Sequence, residues 1–142
     1  MRKLFLFTIA LLILSCGTDQ GEIKKYTYTV INESGRSIKI KSYLTYNSRN
    51  PIITNLEIDQ KIKKTHSDYP PYFGYDFTSF FDGDSIVIIY GKEKKESFKV
   101  NADCNSNERN PLNLCVYRER EETFTFTIND FNNAEDCNGD CE

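Results

Sequence analysis

The chain has 142 residues, of which 18 are Lys or Arg and 21 are Asp or Glu, so its formal charge is −3. This length fits one domain, which buries roughly two-thirds of the surface of its unfolded chain. A slightly acidic chain lacks the basic face that a general nucleic-acid binder uses to neutralise phosphates. We therefore expect no nucleic-acid partner.

The N-terminus carries two basic residues, Arg2 and Lys3, followed by residues 4–14, which are all apolar except Thr8. This is the layout of a signal peptide. The run is too short for a membrane-spanning helix, which needs about 20 apolar residues. A buried core segment is disfavoured because basic residues precede the run and a polar tract follows it.

The end of this run, Ile13-Leu14-Ser15-Cys16, resembles the lipobox of bacterial lipoproteins. The resemblance implies cleavage between Ser15 and Cys16, a thioether-linked diacylglycerol on Cys16 and acylation of the new amino group. Each buried methylene contributes about 0.8 kcal/mol, so two or three acyl chains anchor a protein firmly to its membrane partner. The alternative is a plain signal peptide followed by a chance cysteine.

The resemblance also implies a location. Gly17 follows Cys16, whereas Asp at that position is the inner-membrane retention signal of some bacteria. We therefore expect a lipid anchor in the cell envelope at the outer membrane, with its periplasmic or surface face left open.

The sequence divides into three parts. Residues 1–15 form the predicted signal peptide, residues 16–25 a lipidated tether and residues 26–142 a β-sandwich domain. The tether is predicted from its polar composition, which has no apolar pattern.

From Tyr26 onward, apolar residues recur with a period of two, which is typical of half-buried strands. The pattern predicts strands over residues 26–31, 36–44, 52–59, 86–90, 98–100, 114–120 and 123–128. The first two are expected to pair as a hairpin across a turn at residues 32–35. The runs at 86–90 and 98–100 are expected to form another hairpin.

About seven short strands with turn signals between them indicate an all-β fold, an antiparallel β-sandwich in preference to a barrel. Residues 129–136 predict a short C-terminal helix with Asn129 or Asp130 as N-cap. In strand number and length the domain resembles the immunoglobulin-like domains of bacterial surface proteins. It contains no Trp, so the Cys, Trp, Cys pattern of antibody domains is missing and the resemblance is one of architecture.

Four cysteines remain besides Cys16: Cys104, Cys115, Cys137 and Cys141. An even number in an exported chain favours disulfides, with three possible connectivities. Proximity favours Cys104 with Cys115 and Cys137 with Cys141, and a long-range pair such as Cys115 with Cys137 is the competitor. A structural zinc site normally has two close CxxC pairs, so we predict no metal site.

Residues 69–81 hold seven aromatic residues around Pro70, Pro71 and Gly74. Tyrosine rings on a proline-stiffened loop give a large contact area with few rotors to freeze. The candidate binding residues, for a protein or glycan partner, are Tyr69, Tyr72, Phe73 and Tyr75. The alternative is that these rings close one end of the sandwich.

Catalytic motifs are scarce. His66, the only histidine, stands beside Ser67 and Asp68, but adjacency along the chain does not build a catalytic triad, and we expect an exposed loop histidine. The acidic residues 80–85 and 138–142 carry oxygens suited to calcium, without the spacing of an EF-hand. Asp-Gly turns explain them better.

These patterns leave three classes of function. The first is a lipid-anchored, non-catalytic envelope protein that acts as a binding or accessory module. The second is a purely structural envelope lipoprotein, and the third is a small envelope hydrolase. We favour the first, and predict no cofactor and no catalytic residues.

Overall fold

The computed structural model describes residues 21–45, 47–106, 109–139 and 141. The predicted signal peptide, Cys16 and residues 17–20 of the predicted tether lie outside the described residues. The strands are β1 (Lys24–Glu33), β2 (Ile38–Leu44), β3 (Asn47–Leu56), β4 (Lys61–Asp68), β5 (Ser85–Tyr90), β6 (Lys94–Lys99), β7 (Glu121–Thr127) and β8 (Glu135–Asp136). Two short helices are α1 (Phe77–Phe81) and α2 (Ile128–Asn133).

The strands form two sheets, one of order β4-β1-β7 and one of order β3-β2-β5-β6-β8. Both sheets contribute to one buried core, so the predicted all-β sandwich is confirmed. The pairings are antiparallel except that β1 and β7 run parallel. Parallel neighbours need a long crossover, and here β2 to β6 and α1 lie between β1 and β7 along the chain.

The core follows the period of two along the strands. On the three-stranded sheet, Tyr28 and Val30 of β1 point inward beside Phe124 and Phe126 of β7. The facing side chains of the larger sheet are Ile38, Ile40, Ile86, Ile88 and Tyr90, all at most 2% exposed. The alternation therefore identified the inward faces correctly.

The predicted hairpin of the first two strands is wrong, because β1 and β2 belong to different sheets. The turn between them is organised by the fully buried Asn32, whose Nδ2 donates to the carbonyl oxygens of Arg36 (2.7 Å) and Glu57 (2.9 Å). Its Oδ1 accepts from the Ser34 hydroxyl at 2.6 Å. These bonds satisfy the polar groups of the turn while the chain crosses from one sheet to the other.

Two further strand predictions need correction, and one strand was missed. Residues 114–120 form turns and irregular chain instead of a strand, because Asn side chains bond the local backbone there, as where Asn113 Oδ1 accepts from Cys115 N at 2.9 Å. Strand β4 was not predicted, since Ile62 is its only aliphatic residue. The third predicted strand begins earlier and ends at Leu56.

The hairpin of β5 and β6 is confirmed. Its continuous apolar run reflects burial on both faces of β5. Ile86 and Ile88 face the core, whereas Val87 and Ile89 pack outside it against Cys137 and Cys141.

The C-terminal helix is also confirmed, but its N-cap is Thr127, not Asn129 or Asp130. Thr127 and Asp130 form a capping box, in which the Asp130 carboxylate accepts from Thr127 N at 2.7 Å. Helix α1 was missed because five residues are too few to show a helical period. Neither helix in the described part of the chain is long and apolar enough to cross a membrane.

The four cysteines outside the N-terminus form two disulfides, Cys104–Cys115 and Cys137–Cys141, in the sequential pairing that proximity favours. The first closes a loop that is anchored by buried Asn110 and Leu112. Asn110 Nδ2 donates to the Lys99 carbonyl at 2.8 Å. The second holds the C-terminal segment over the outer face of β5.

Candidate functional site: an exposed aromatic loop

The aromatic segment 69–81 divides into two parts with opposite environments. Phe77, Phe80 and Phe81, on α1, are at most 4% exposed and belong to the core. Phe73 is 89% exposed and Tyr69 is 61% exposed. We call residues 69–75 the aromatic loop.

The backbone of the aromatic loop is fixed by Asp68, the last residue of β4, which is 4% exposed. One carboxylate oxygen of Asp68 accepts from the N–H of Phe73 at 3.1 Å and of Gly74 at 2.8 Å. Hydrogen bonds to a charged acceptor are stronger than neutral ones. Gly74 has φ +80°, which favours glycine. The exposed Phe73 ring therefore sits on a braced backbone.

Tyr75 joins the loop to the core and is half-buried. Its ring stacks on His66 with centroids 5.0 Å apart and meets Tyr28 edge-on at 5.2 Å. Burial, with the nearby Asp82 and Asp76 carboxylates, raises the pKa of Tyr75. Among the four predicted binding residues, Tyr75 thus supports the loop, while Tyr69, Tyr72 and Phe73 present surface.

The start of the described chain lies against the loop. A Cβ atom on Gly21 would lie 2.8 Å from Pro70 Cγ and 2.9 Å from the Tyr72 hydroxyl oxygen. The Tyr72 hydroxyl donates to the carbonyl oxygen of Glu22. Lys24 Nζ lies 3.7 Å from the centroid of the Tyr72 ring, a cation–π distance. The chain therefore enters the domain along this loop.

Charges at this end of the sandwich are mixed. The end is defined by the register: β1 begins opposite the end of β4, with Lys24 paired to Asp68, and beside the start of β7. Exposed or half-buried charged residues there are Lys24, Lys25, Arg118 and Arg120 with Glu22, Asp76, Glu119, Glu121 and Glu122, and the Asp68 carboxylate is buried beside them. Carboxylates slightly outnumber cations, so this end has no basic field.

His66 lies on strand β4 and not on a loop, although it is exposed as predicted. Side chains of successive strand residues point to opposite faces, so Ser67 points away from His66. The Asp68 carboxylate is used by the loop amides. These three neighbours do not form a catalytic triad.

The two acidic residues within 80–85, Asp82 and Asp84, make helix-capping, ion-pair and turn contacts. Asp82 caps α1 in the left-handed region and pairs with Lys64 at 3.1 Å. Asp84 accepts from Thr45 N at 2.9 Å, and its hydrogen bonds to Thr45 lower its pKa. Over the described ranges, no three or more His, Cys, Asp or Glu side chains are grouped as metal ligands would be.

Two residues of the loop assembly, Asp68 and Lys24, were not predicted from the sequence. Asp68 precedes Tyr69-Pro70-Pro71, and a carboxylate ahead of a proline turn is a recognisable signal for side-chain bonding to the backbone. Lys24 gave no such signal, because its contact depends on the pairing of β1 with β4.

Comparison of the chain with protein-family models gives no match, and comparison with curated proteins and with solved structures likewise gives none.

Proposed function

We propose that this chain is a lipid-anchored, non-catalytic protein of the cell envelope that acts as a binding or accessory module through its aromatic loop. Export removes residues 1–15, Cys16 carries the lipid, and the domain folds in oxidising surroundings. The anchor is expected in the outer membrane.

The observation that carries the proposal is that four of the five cysteines pair with one another, which leaves Cys16 over. The four in the domain bond to one another in two pairs, so none is available to Cys16. Disulfides of this kind persist in exported proteins. Lipid attachment requires a cysteine outside these pairs, directly after a signal-peptide-like run, and Cys16 has this position.

The aromatic loop supports the binding part of the proposal. Phe73 and Tyr69 expose apolar rings that the fold does not need for its core, and the loop backbone is ordered by Asp68. An ordered contact surface loses less conformational entropy when it binds.

Intact-mass analysis of the full chain, expressed in a bacterium that processes lipoproteins, tests the anchor. We expect loss of residues 1–15 and addition of diacylglyceryl and fatty acyl mass on Cys16, with the protein retained in washed membranes. Cys16→Ser is the matched control and should carry no lipid. A retained initiator methionine, or a free Cys16 thiol without lipid mass, contradicts the proposal.

Cross-linking and pull-down from intact cells test the loop. Tyr69→Ala combined with Phe73→Ala should remove the material cross-linked through the loop, whether lipid, protein or glycan, without changing the melting temperature, whereas Ile58→Ala, 52% exposed in another turn, should leave capture unchanged. Equal capture by all variants would show that binding does not use the loop, and no capture by any variant would favour a purely structural lipoprotein. A screen of glycan and ester substrates should show no turnover, and turnover by the pure protein would favour the hydrolase.

A further inference from the structure

We propose that the partner of the aromatic loop is the surface of the bilayer that holds the Cys16 lipid, with Phe73, Tyr69 and Tyr72 lying at the interface between water and hydrocarbon. This inference rests on the lipid anchor proposed above. The proposed contact is formed by apolar and aromatic side chains at the membrane interface and does not depend on a particular lipid head group.

The short tether limits how far the loop can lie from the membrane. Five residue steps separate Cys16 from Gly21, and a fully extended chain covers at most about 18 Å in five steps. Gly21 itself packs against Pro70 and Tyr72. The lipid attachment point is therefore tied within about 18 Å of the loop, so the loop is held near the membrane whatever path the tether takes.

The exposed side chains of the loop have the chemistry of a membrane interface. Tyrosine is enriched at such interfaces, because its ring is apolar and its hydroxyl is polar. The loop presents Tyr69 and Tyr72 beside Phe73, whose ring is 89% exposed. Covering a phenylalanine side chain this exposed with an apolar surface lowers the free energy of the system.

The loop is also ordered before any contact is made. Asp68 holds the N–H groups of Phe73 and Gly74, and Lys24 and Glu22 hold Tyr72. The rings are thus presented by a backbone that does not have to fold on contact. The brace joins the loop to the segment that leads toward Cys16.

The charges near the loop do not favour an electrostatic contact with anionic lipid. Carboxylates slightly outnumber cations at this end of the sandwich, and Lys24 is placed over the Tyr72 ring. Attraction to anionic lipid is therefore weak, and the contact should form on zwitterionic vesicles and change little with salt.

The chain contains no Trp, which allows a single-tryptophan experiment. Phe73→Trp places the reporter on the loop. Ile58→Trp is the matched control, since Ile58 is also well exposed but lies in the turn between β3 and β4. That turn is at the other end of β1, where Ile31 pairs with Lys61, about 23 Å from Lys24 at 3.3 Å per residue. Both full-chain variants are purified in lipidated form and reconstituted in phosphatidylcholine vesicles.

We expect the fluorescence of the Phe73→Trp variant to shift to shorter wavelength and to be quenched by lipids brominated along the acyl chain, in low and in high salt alike. The Ile58→Trp variant should emit as tryptophan does in water and resist this quenching. Tyr69→Trp provides a second loop reporter with the same expectation if Phe73→Trp lowers the melting temperature.

Two results would overturn the inference while the anchor stands. One is a correctly lipidated pair of samples in which the loop reporter and the control reporter are equally unquenched. The other is a loop-reporter signal that changes only when envelope protein or glycan is added, which would assign the loop to such a partner. Intact mass of the same samples shows whether Cys16 carries lipid, and its absence would remove the proposed function and this inference together.

Discussion

The two parts of the aromatic segment have similar compositions and opposite positions in the molecule. Asp76 caps α1, accepting from Ser79 N at 3.0 Å, and the helix places Phe77, Phe80 and Phe81 on its inward side, since residues three and four apart share a face. In the loop, Asp68 instead holds the backbone of Phe73 so that its ring points to solvent. Rings of similar hydrophobicity therefore differ in burial where the local backbone differs, and a carboxylate bonds that backbone in each part.

The largest effect is expected at the buried side of this comparison. Phe77 contacts the rings of Tyr28 (4.8 Å) and Tyr117 (5.2 Å) between centroids. Phe77→Ala should lower the free energy of unfolding by about 3–5 kcal/mol, because it leaves a cavity among these rings. Urea unfolding of the disulfide-intact domain measures this. A loss below about 1 kcal/mol would mean that α1 is not part of the core.

The second-largest effect is expected at Asp68, whose carboxylate holds the backbone of the aromatic loop. Asp68→Ala leaves the N–H groups of Phe73 and Gly74 without their acceptor, and we expect a loss of about 1–3 kcal/mol. Hydrogen exchange should rise at these two amides in particular. Ser67→Ala, an exposed neighbour on the same strand, is the control and should change neither quantity. Unchanged exchange in the Asp68 variant would show that the loop is ordered by other contacts.

The buried Tyr90 ring carries a hydroxyl group that needs a hydrogen-bond partner inside the protein, whereas Tyr69 is at the surface. The Tyr90 hydroxyl donates to the Glu96 carboxylate. Burial raises the pKa of Glu96 from 4.5 to about 7, with the Asp130 charge acting in the same direction and the Tyr90 bond and Arg109 opposing it. The folded protein thus keeps a proton on Glu96 that the unfolded chain releases above its usual pKa.

Because the folded-state pKa of Glu96 is raised, the contribution of Glu96 to stability is full below about pH 4.5 and is lost as the pH rises to about 7. Partial solvent screening limits the loss to about 1 kcal/mol. Glu96→Gln keeps an acceptor for Tyr90 and should flatten this part of the pH profile of urea unfolding. A profile with the same slope in wild type and variant would assign the dependence to another group.

The smallest effect is expected on the exposed side. Phe73→Ala should change the free energy of unfolding by no more than about 0.5 kcal/mol, since its ring is 89% exposed. The Phe77→Ala protein, measured in the same titration, is the reference. A destabilisation by Phe73→Ala comparable to that by Phe77→Ala would show that Phe73 also packs in the core.

The hydrophobic pattern was sufficient for the fold class and for most inward-facing residues. Tyr28 and Val30, or Ile38 and Ile40, alternate with polar residues, and a half-buried strand requires that spacing. Pairing was not readable in the same way, as β1 and β2 show: alternation tells which face of a strand is buried but not which strand lies beside it. The buried Asn32 network that separates them is a property of the folded turn.

For the candidate site, the sequence identified the aromatic segment but not its division. Tyr69 and Phe77 are both aromatic residues near prolines and glycines, and their residue types do not order them by exposure. The division arises from Asp68 and Asp76, two carboxylates whose backbone partners exist only once β4 has ended and α1 has begun.

Local pattern was enough to predict a domain of alternating strands and to favour the two short-range cysteine pairs over a long-range one, because each depends on residues close together along the chain. The exported chain with a lipobox-like cysteine is likewise a prediction from local pattern, and it stays a prediction. The parallel pairing of β1 with β7, the crossing of the chain between sheets at Asn32 and the contact of Gly21 with the aromatic loop emerged from the folded molecule. Each joins segments far apart in sequence, whose meeting depends on packing the whole core and not on any local preference.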